Sequence, residues 1–569
     1  IRAIPGRRFD GESKTWSVEA TSTNAERLLY SIDGLVIAPE LREWIKLSRV
    51  RESDDLTTKM SDDAELRIHW SPRLYPYQRA MIDRAAEIQR LIIADDMGLG
   101  KTVQALGTVN EFQIRSEDAV DGPKLIACPN SVKGVWAREI HNWLGDNEPY
   151  QIVDAPNPDK RTKQLEDIIA ANGWAIVNWE QLRVVKETMK LKNGGTKTVE
   201  LMKQPLFEET EWFAVIADEA HRAKNRKAAQ TRGLWRVQGT VQLALTGTPL
   251  MNTPDELWAI LRWLWPQDYH ERGRAFSKTA RSYWAFYEEY VDYTEGYWGK
   301  EINGVKNPDA LRFELRDRLA RRTKGEVLSL PAKTRVTVPV EIPSSQSKLY
   351  AKAEKEIWLE IAKDEKLTAA AEGGLASLIK IPNGAARMVR LQQILEHPRL
   401  LNPEAADASG KMDAAQEMIL DNVQEQHVVF TKFVQSANIF AERLRSKGIS
   451  VAVYTGEVEA KERTAIEDQF QNGDINVVVG TIEALKEGIT LTAARTEHFL
   501  TRAWVPAVNE QAEDRCHRVG QHHPVTIYIY EAPDTVDDGN VKPTNLRKER
   551  IVKTILPKDH INQEAYDAA

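Results

Sequence analysis

Leu91-Ile92-Ile93-Ala94-Asp95-Asp96-Met97-Gly98-Leu99-Gly100-Lys101-Thr102 is the stretch on which the fold turns. A short apolar run, a glycine-containing loop and then the helical pattern Val103-Gln104-Ala105-Leu106 read as strand, loop, helix. In such a loop the glycines let backbone N–H groups close around phosphates, and the helix N-terminus adds positive potential. Lys101 reaches the β- and γ-phosphates, and Thr102 offers its hydroxyl to Mg²⁺. Asp96, Gly98, Leu99 and Gly100 complete the nucleotide-binding set. The strict phosphate-loop pattern wants glycine where this chain has Asp95, and the alternative is an ordinary strand-to-helix turn.

Downstream, the apolar run Phe213 to Ala217 delivers Asp218-Glu219-Ala220-His221. An acidic pair at the carboxyl end of a parallel strand projects into the crevice where nucleotides bind. There Asp218 can hold Mg²⁺ and Glu219 can polarise the attacking water, while His221 couples to the next element. That element is Leu245-Thr246-Gly247-Thr248-Pro249, where the short hydroxyl side chains of Thr246 and Thr248 can switch hydrogen bonds when the γ-phosphate leaves. Upstream, Gln78 in Tyr75-Pro76-Tyr77-Gln78 offers an amide to adenine, with a plain surface glutamine as the alternative.

Working outward, short β-rich runs alternate with helical patterns from about 71 to 265, as in an α/β domain with a mostly parallel sheet. Between 266 and 405 the pattern turns to charged, Ala-rich and aromatic helices such as Ser345 to Lys366, read as helical insertions. Alternation resumes from 406 to 535, which predicts a second α/β domain. Residues 1–70 form an accessory segment, and 536–569 a charged tail interrupted by proline.

In the second domain, Gln511-Ala512-Glu513-Asp514-Arg515-Cys516-His517-Arg518-Val519-Gly520-Gln521 sets Arg515 and Arg518 three apart on one helical face. Two guanidinium groups presented together suit a γ-phosphate in its transition state. The alternative is an exposed basic turn paired to Glu513 and Asp514.

Taken in order, these elements resemble the core of superfamily-two helicases, and within it the Swi/Snf type of DNA-translocating ATPase. Asp95 to Thr102, Leu245 to Pro249 and Gln511 to Gln521 carry the likeness. Arg321-Arg322-Thr323-Lys324-Gly325-Glu326-Val327 and the run from Met388 to His397-Pro398-Arg399-Leu400 extend it. The resemblance spans about 71–535. It implies two RecA-like domains in tandem, and an ATP- and Mg²⁺-dependent motor that moves along double-stranded DNA, usually without separating strands. By position, it gives Gln78 to adenine, Gln511 to the nucleotide, and Arg515 and Arg518 to the γ-phosphate. One motif departs from the family: Gly480-Thr481-Ile482-Glu483-Ala484-Leu485-Lys486-Glu487-Gly488 keeps only Gly488 near its end. This form is similar to the branch containing annealing helicases of forked DNA. Phe9 to Val18 is faintly similar to the substrate-recognition repeat of those proteins, with a β-hairpin packed on the core as the equal alternative.

DNA contacts are expected at Lys133, in the loop after the second strand, at Lys432 in Thr431-Lys432-Phe433, and at Arg322. Arg322 lies in a run, 311–324, with six basic and two acidic side chains, for which a solvated helix face is the alternative. The tryptophans Trp263, Trp265 and Trp284 are read as packing rather than base stacking.

Composition bounds the rest. The 569 residues carry 77 Lys and Arg against 84 Asp and Glu, a net charge of −7 that excludes a uniformly basic surface. Basic groups are then needed along one channel only. No apolar run reaches the roughly 18 residues of a membrane span, so no membrane partner is expected. With only Cys128 and Cys516, a disulfide framework and a cysteine-rich zinc site are excluded. The expected setting is intracellular: cytoplasmic and nucleoid-associated in a prokaryote or virus, nuclear in a eukaryote.

Overall fold

Leu91, Ile92 and Ile93 are buried on both faces, as a central parallel strand requires. In the computed structural model, which describes residues 8–10, 15–17, 64–116, 121–190, 196–249, 253–273, 280–296, 299–328, 330–361, 384–486 and 489–555, they belong to a seven-stranded sheet. Its strands are β1 (Arg90–Ile93), β2 (Lys124–Cys128), β3 (Tyr150–Ile152), β4 (Trp174–Asn178), β5 (Trp212–Asp218), β6 (Gly239–Leu245) and β7 (Leu319–Ala320). They lie in the order β7-β1-β6-β5-β2-β4-β3, all parallel. The carboxyl ends of β1, β5, β6 and β7 therefore meet on one edge.

A second sheet of six parallel strands comprises β8 (Lys333–Pro339), β9 (His427–Thr431), β10 (Val451–Tyr454), β11 (Val477–Thr481), β12 (Thr496–Phe499) and β13 (Val525–Glu531). Their order is β8-β13-β12-β9-β11-β10. Each sheet has an apolar core on both of its faces, which makes the molecule a tandem of two RecA-like parallel-sheet units.

The stretch between 266 and 405 holds helices, among them Ser344–Ile361 and Gly384–Glu396, and strands that the helical reading did not expect. It contains an antiparallel hairpin, Val291–Gly296 with Gly299–Val305. It also supplies β7, which returns to the first sheet beside β1, and β8, which edges the second. Strand β7 is only two residues flanked by charges, and β8 is an exposed edge strand reading Lys-Thr-Arg-Val-Thr-Val-Pro, in which only Val336 and Val338 carry the apolar alternation.

The expected tail is also structured. The helix Lys542–Ile555 buries Ile551 and Ile555 in the first domain's core beside Leu311 and Leu315. Arg312 Nη2 donates to Thr554 O at 2.6 Å, and Lys548 Nζ reaches back to Trp504 O in the second domain at 2.9 Å. At the other end of the chain, Arg8–Asp10 pairs antiparallel with Thr15–Ser17.

Candidate nucleotide site between the two domains

The phosphate loop leaves β1 and enters the helix Lys101–Arg115. Gly98 and Gly100 take left-handed φ values of +85° and +81°, which a side chain would strain. At Gly100, a Cβ would also stand 2.4 Å from Gln78 Nε2. Asp95, at the position of the missing glycine, explains the departure from the strict pattern. Its carboxylate is buried and accepts Gln104 Nε2 and Arg322 N, each at 2.9 Å. Asp96 accepts Arg321 Nη2 at 3.2 Å and Lys324 N at 3.1 Å. The two aspartates thus fasten the loop to the segment that follows β7.

Lys101 Nζ donates to the carbonyls of Asp95 and Asp96 at 2.7 and 3.1 Å, inside the loop that would cradle phosphates. The Leu99 carbonyl accepts Tyr77 Oη, Gln78 Nε2 and Gln104 Nε2. Gln78 also accepts Tyr75 N through Oε1 at 3.0 Å and is buried. Both ends of its amide are committed to backbone, so Gln78 braces the loop from behind, and the expected adenine contact would require these bonds to be exchanged. Thr102 stands part-exposed in the first helical turn.

At the end of β5, Asp218 accepts Trp136 Nε1 at 2.8 Å and Glu219 N at 2.9 Å. Glu219 adopts φ 50° and ψ 51°, a left-handed conformation that costs a non-glycine residue about 1 kcal/mol or more. Burial and the adjoining Glu219 push the Asp218 carboxyl up to about 7. For Glu219, burial alone would act upward; His221, Lys101 and Arg515 outweigh it and hold the group at about 2.

A run of polar contacts leads away from Glu219. His221 Nδ1 lies 3.1 Å from Glu219 Oε2 and 3.4 Å from Thr246 Oγ1. Thr248 N donates to Thr246 Oγ1 at 3.1 Å, and Gln511 Nε2 of the second domain donates to Thr248 Oγ1 at 3.4 Å. Arg515 Nε then donates to Gln511 O at 3.1 Å.

Arg518 donates to Thr490 Oγ1 at 3.1 Å, and its Cβ lies 3.6 Å from where a Cβ on Gly98 would be. Lys324 fastens this approach. Its Nζ donates to His517 O at 2.7 Å and pairs with Asp514 at 2.8 Å, while its own N–H holds Asp96. Lys324 stood in the sequence as one charge in a basic run; nothing in spacing marks it as an interdomain pin. Gly488 and the residues after Pro249 up to Asn252 lie outside the described residues.

The expected DNA contacts are not brought together. Lys133 is buried against Asp154 at 3.0 Å. Lys432 donates to Gln392 Oε1 at 2.8 Å, and burial lowers its ammonium to about 8. Arg322 is turned to the phosphate loop: its guanidinium donates to Tyr77 O and its N–H to Asp95, so it buttresses that loop. The rest of its run is likewise consumed by Asp309, Asp317, Asp268, Asp96 and Asp514. Trp263 is fully buried, and Trp284, 56% exposed, packs edge-on against Tyr283 and Tyr287.

A hydroxyl at Thr102 and a part-buried carboxylate at Asp218 are hard oxygen donors that fit Mg²⁺, which keeps water and phosphate oxygens as its other ligands. Among the described residues no cluster of three or more His, Cys, Asp or Glu side chains offers a metal cage, and no helix is long and apolar enough to cross a membrane.

Phosphate loop, acidic strand end and an arginine pair from a second parallel-sheet domain define a two-domain nucleoside triphosphatase. The SNF2-related domain matches residues 77–400 and the helicase conserved C-terminal domain residues 410–520. The chain belongs to the SNF2-related family, ATPases of helicase superfamily two. It is 28% identical over 496 residues to the human DNA annealing helicase and endonuclease ZRANB3, covering 85% of this chain and 40% of that protein. It is 29% identical over 553 residues to the Caenorhabditis elegans homolog of SWI/SNF-related matrix-associated actin-dependent regulator of chromatin subfamily A-like protein 1, covering 95% of this chain and 70% of that one. The Sulfolobus solfataricus SWI2/SNF2 ATPase core in complex with dsDNA aligns with a TM-score of 0.37 and 22% identity over 85% of this chain and 97% of that one.

Proposed function

We propose that this chain hydrolyses ATP at the edge shared by its two domains and uses the cycle to move along double-stranded DNA, acting on forked or branched DNA or displacing bound proteins. The observation that carries the reading is the run Glu219, His221, Thr246, Thr248, Gln511, which crosses from the hydrolytic carboxylate into the second domain. A change at the γ-phosphate thereby acquires a path to domain movement. The relatives named above as an annealing helicase and a chromatin regulator homolog favour DNA as the track.

In this reading Lys101 exchanges the Asp95 and Asp96 carbonyls for nucleotide phosphates. Glu219, ionised and held by His221, orients a water and accepts its proton as the water attacks the γ-phosphorus. Arg515 and Arg518 neutralise charge on the departing phosphoryl group. Thr102 and Asp218 would hold Mg²⁺, which supplies charge neutralisation at the β- and γ-oxygens. Lys133 and Lys432, beyond the carboxyl ends of β2 and β9, would take backbone phosphates by giving up Asp154 and Gln392.

ATP turnover measured with linear duplex, single-stranded and forked DNA tests the proposal. Duplex and fork should stimulate hydrolysis, and a triplex strand should be displaced while duplex stays paired. Turnover indifferent to every DNA would overturn it.

A further inference from the structure

Val184–Lys190 and Thr196–Met202 form an antiparallel hairpin in unbroken register, from Val184 opposite Met202 to Lys190 opposite Thr196. Its root is anchored. Val184 and Met202 belong to the first domain's core, Arg232 pairs with Glu200 at 2.6 Å, and Arg236 Nη2 donates to Glu200 O at 2.7 Å.

Successive strand residues point to opposite faces. Val184, Lys186 and Thr188 therefore share one face with Met202, Glu200 and Thr198, while Val185, Glu187 and Met189 share the other with Leu201 and Val199. The core-rooted face turns polar as the hairpin leaves the body. The face pointing away carries the apolar side chains: Val185 is 37%, Met189 54% and Leu201 41% exposed. That is the reverse of what a solvated two-stranded ribbon needs. Such a ribbon is marginal alone, and clustered exposed apolar groups mark an interaction surface.

Charge and position identify the partner's chemistry. The strands and the residue after them hold Lys186, Lys190, Lys197 and Lys203 against Glu187 and Glu200, in a chain whose net charge is −7. The hairpin starts one short turn, Trp179–Leu182, beyond the carboxyl end of β4. In that turn Trp179 Nε1 donates to Asp218 O at 3.0 Å, so the hairpin springs from the nucleotide edge.

We infer that the paired strands Val184–Lys190 and Thr196–Met202 form a wedge for branched DNA: Val185, Met189 and Leu201 pack against base pairs opened at a duplex junction, and Lys186 and Lys203 flank the phosphates. The inference rests on the reading of the chain as a DNA motor and names what that motor recognises. Apolar side chains inserted between base steps unstack them, which costs least at a junction already open.

The test is the full chain carrying Val185→Ser, Met189→Ser and Leu201→Ser together, all at exposed positions. Two readouts are compared with wild type: ATP turnover with linear duplex and with a fork, and fluorescence of 2-aminopurine placed at the fork's branch point. Turnover on linear duplex should stay within about twofold, while fork stimulation falls about tenfold and the wild-type rise in branch-point fluorescence disappears. Wild-type behaviour of the variant in both readouts overturns the wedge and leaves the face to a protein partner. Equal loss on both DNAs also overturns it, as a general grip or a structural role. Should wild-type turnover ignore DNA altogether, the motor reading falls, and branch-point fluorescence still decides the wedge.

Discussion

Two acidic clusters, one in each domain, differ in their company. In the second domain, Glu513 is fully buried and is met by Arg335 at 2.6 Å, Lys333 at 3.3 Å and Arg502 at 3.4 Å. Beside it, Asp514 pairs with Lys324 and Lys333 at 2.8 and 3.5 Å. In the first domain, Asp218 is held by two neutral N–H donors and Glu219 by a histidine, on a strained backbone. Short ion pairs spend the negative charge of the first pair of carboxylates on holding the fold. In the proposed mechanism the second pair serves a ligand instead.

The largest separation of the two should come from Glu219→Gln, which removes the proton acceptor and keeps the shape. Turnover should fall by about 10²- to 10⁴-fold with nucleotide binding retained, read by single-turnover hydrolysis beside nucleotide titration. Glu513→Ala should do the opposite. It strands three cations, so calorimetry or denaturant titration should show a loss of about 3 to 5 kcal/mol, and whatever folds should hydrolyse ATP at a rate limited by its folded fraction.

A smaller effect is expected at the link between the clusters. Gln511→Leu removes the donor to Thr248 and should lower DNA-stimulated turnover about fivefold while leaving thermal stability within about 0.5 kcal/mol. The smallest belongs to Glu497, whose carboxyl burial and the neighbouring Glu513 push well above the usual range. A raised carboxyl pKa makes the folded state lose stability as pH climbs above the unfolded value. Glu497→Gln should therefore be more stable than wild type at pH 8, with the gap closing toward pH 5. A gap that widens on acidification would place a counter-charge at Glu497.

Much of this was legible in the residues. Strands such as Phe213 to Ala217 and Val477 to Val479 are uninterrupted apolar runs because both sheet faces are covered. Asp218 and Glu219 follow the first of them directly, and a parallel sheet gathers such strand ends on one edge. What escaped the sequence is what partners decide. Gln78, Lys133 and Arg322 are the residue types expected at a ligand, and each is claimed by a nearby backbone or carboxylate group. Lys324 acts through Asp514, nearly two hundred positions away, and no local pattern encodes that meeting. The two-residue β7 is too short for periodicity to reveal, and β8 offers only the brief alternation of Val336 and Val338 beside charged residues.

The central claim is that one hydrolytic site is completed by both domains, and a double-mutant cycle on kcat between Glu219→Gln and Arg515→Gln tests it most directly. Groups that serve one transition state are strongly non-additive. The account predicts that the double variant turns over no more than about threefold more slowly than the worse single variant. Losses that simply multiply would contradict it, leaving the two domains to act on ATP independently.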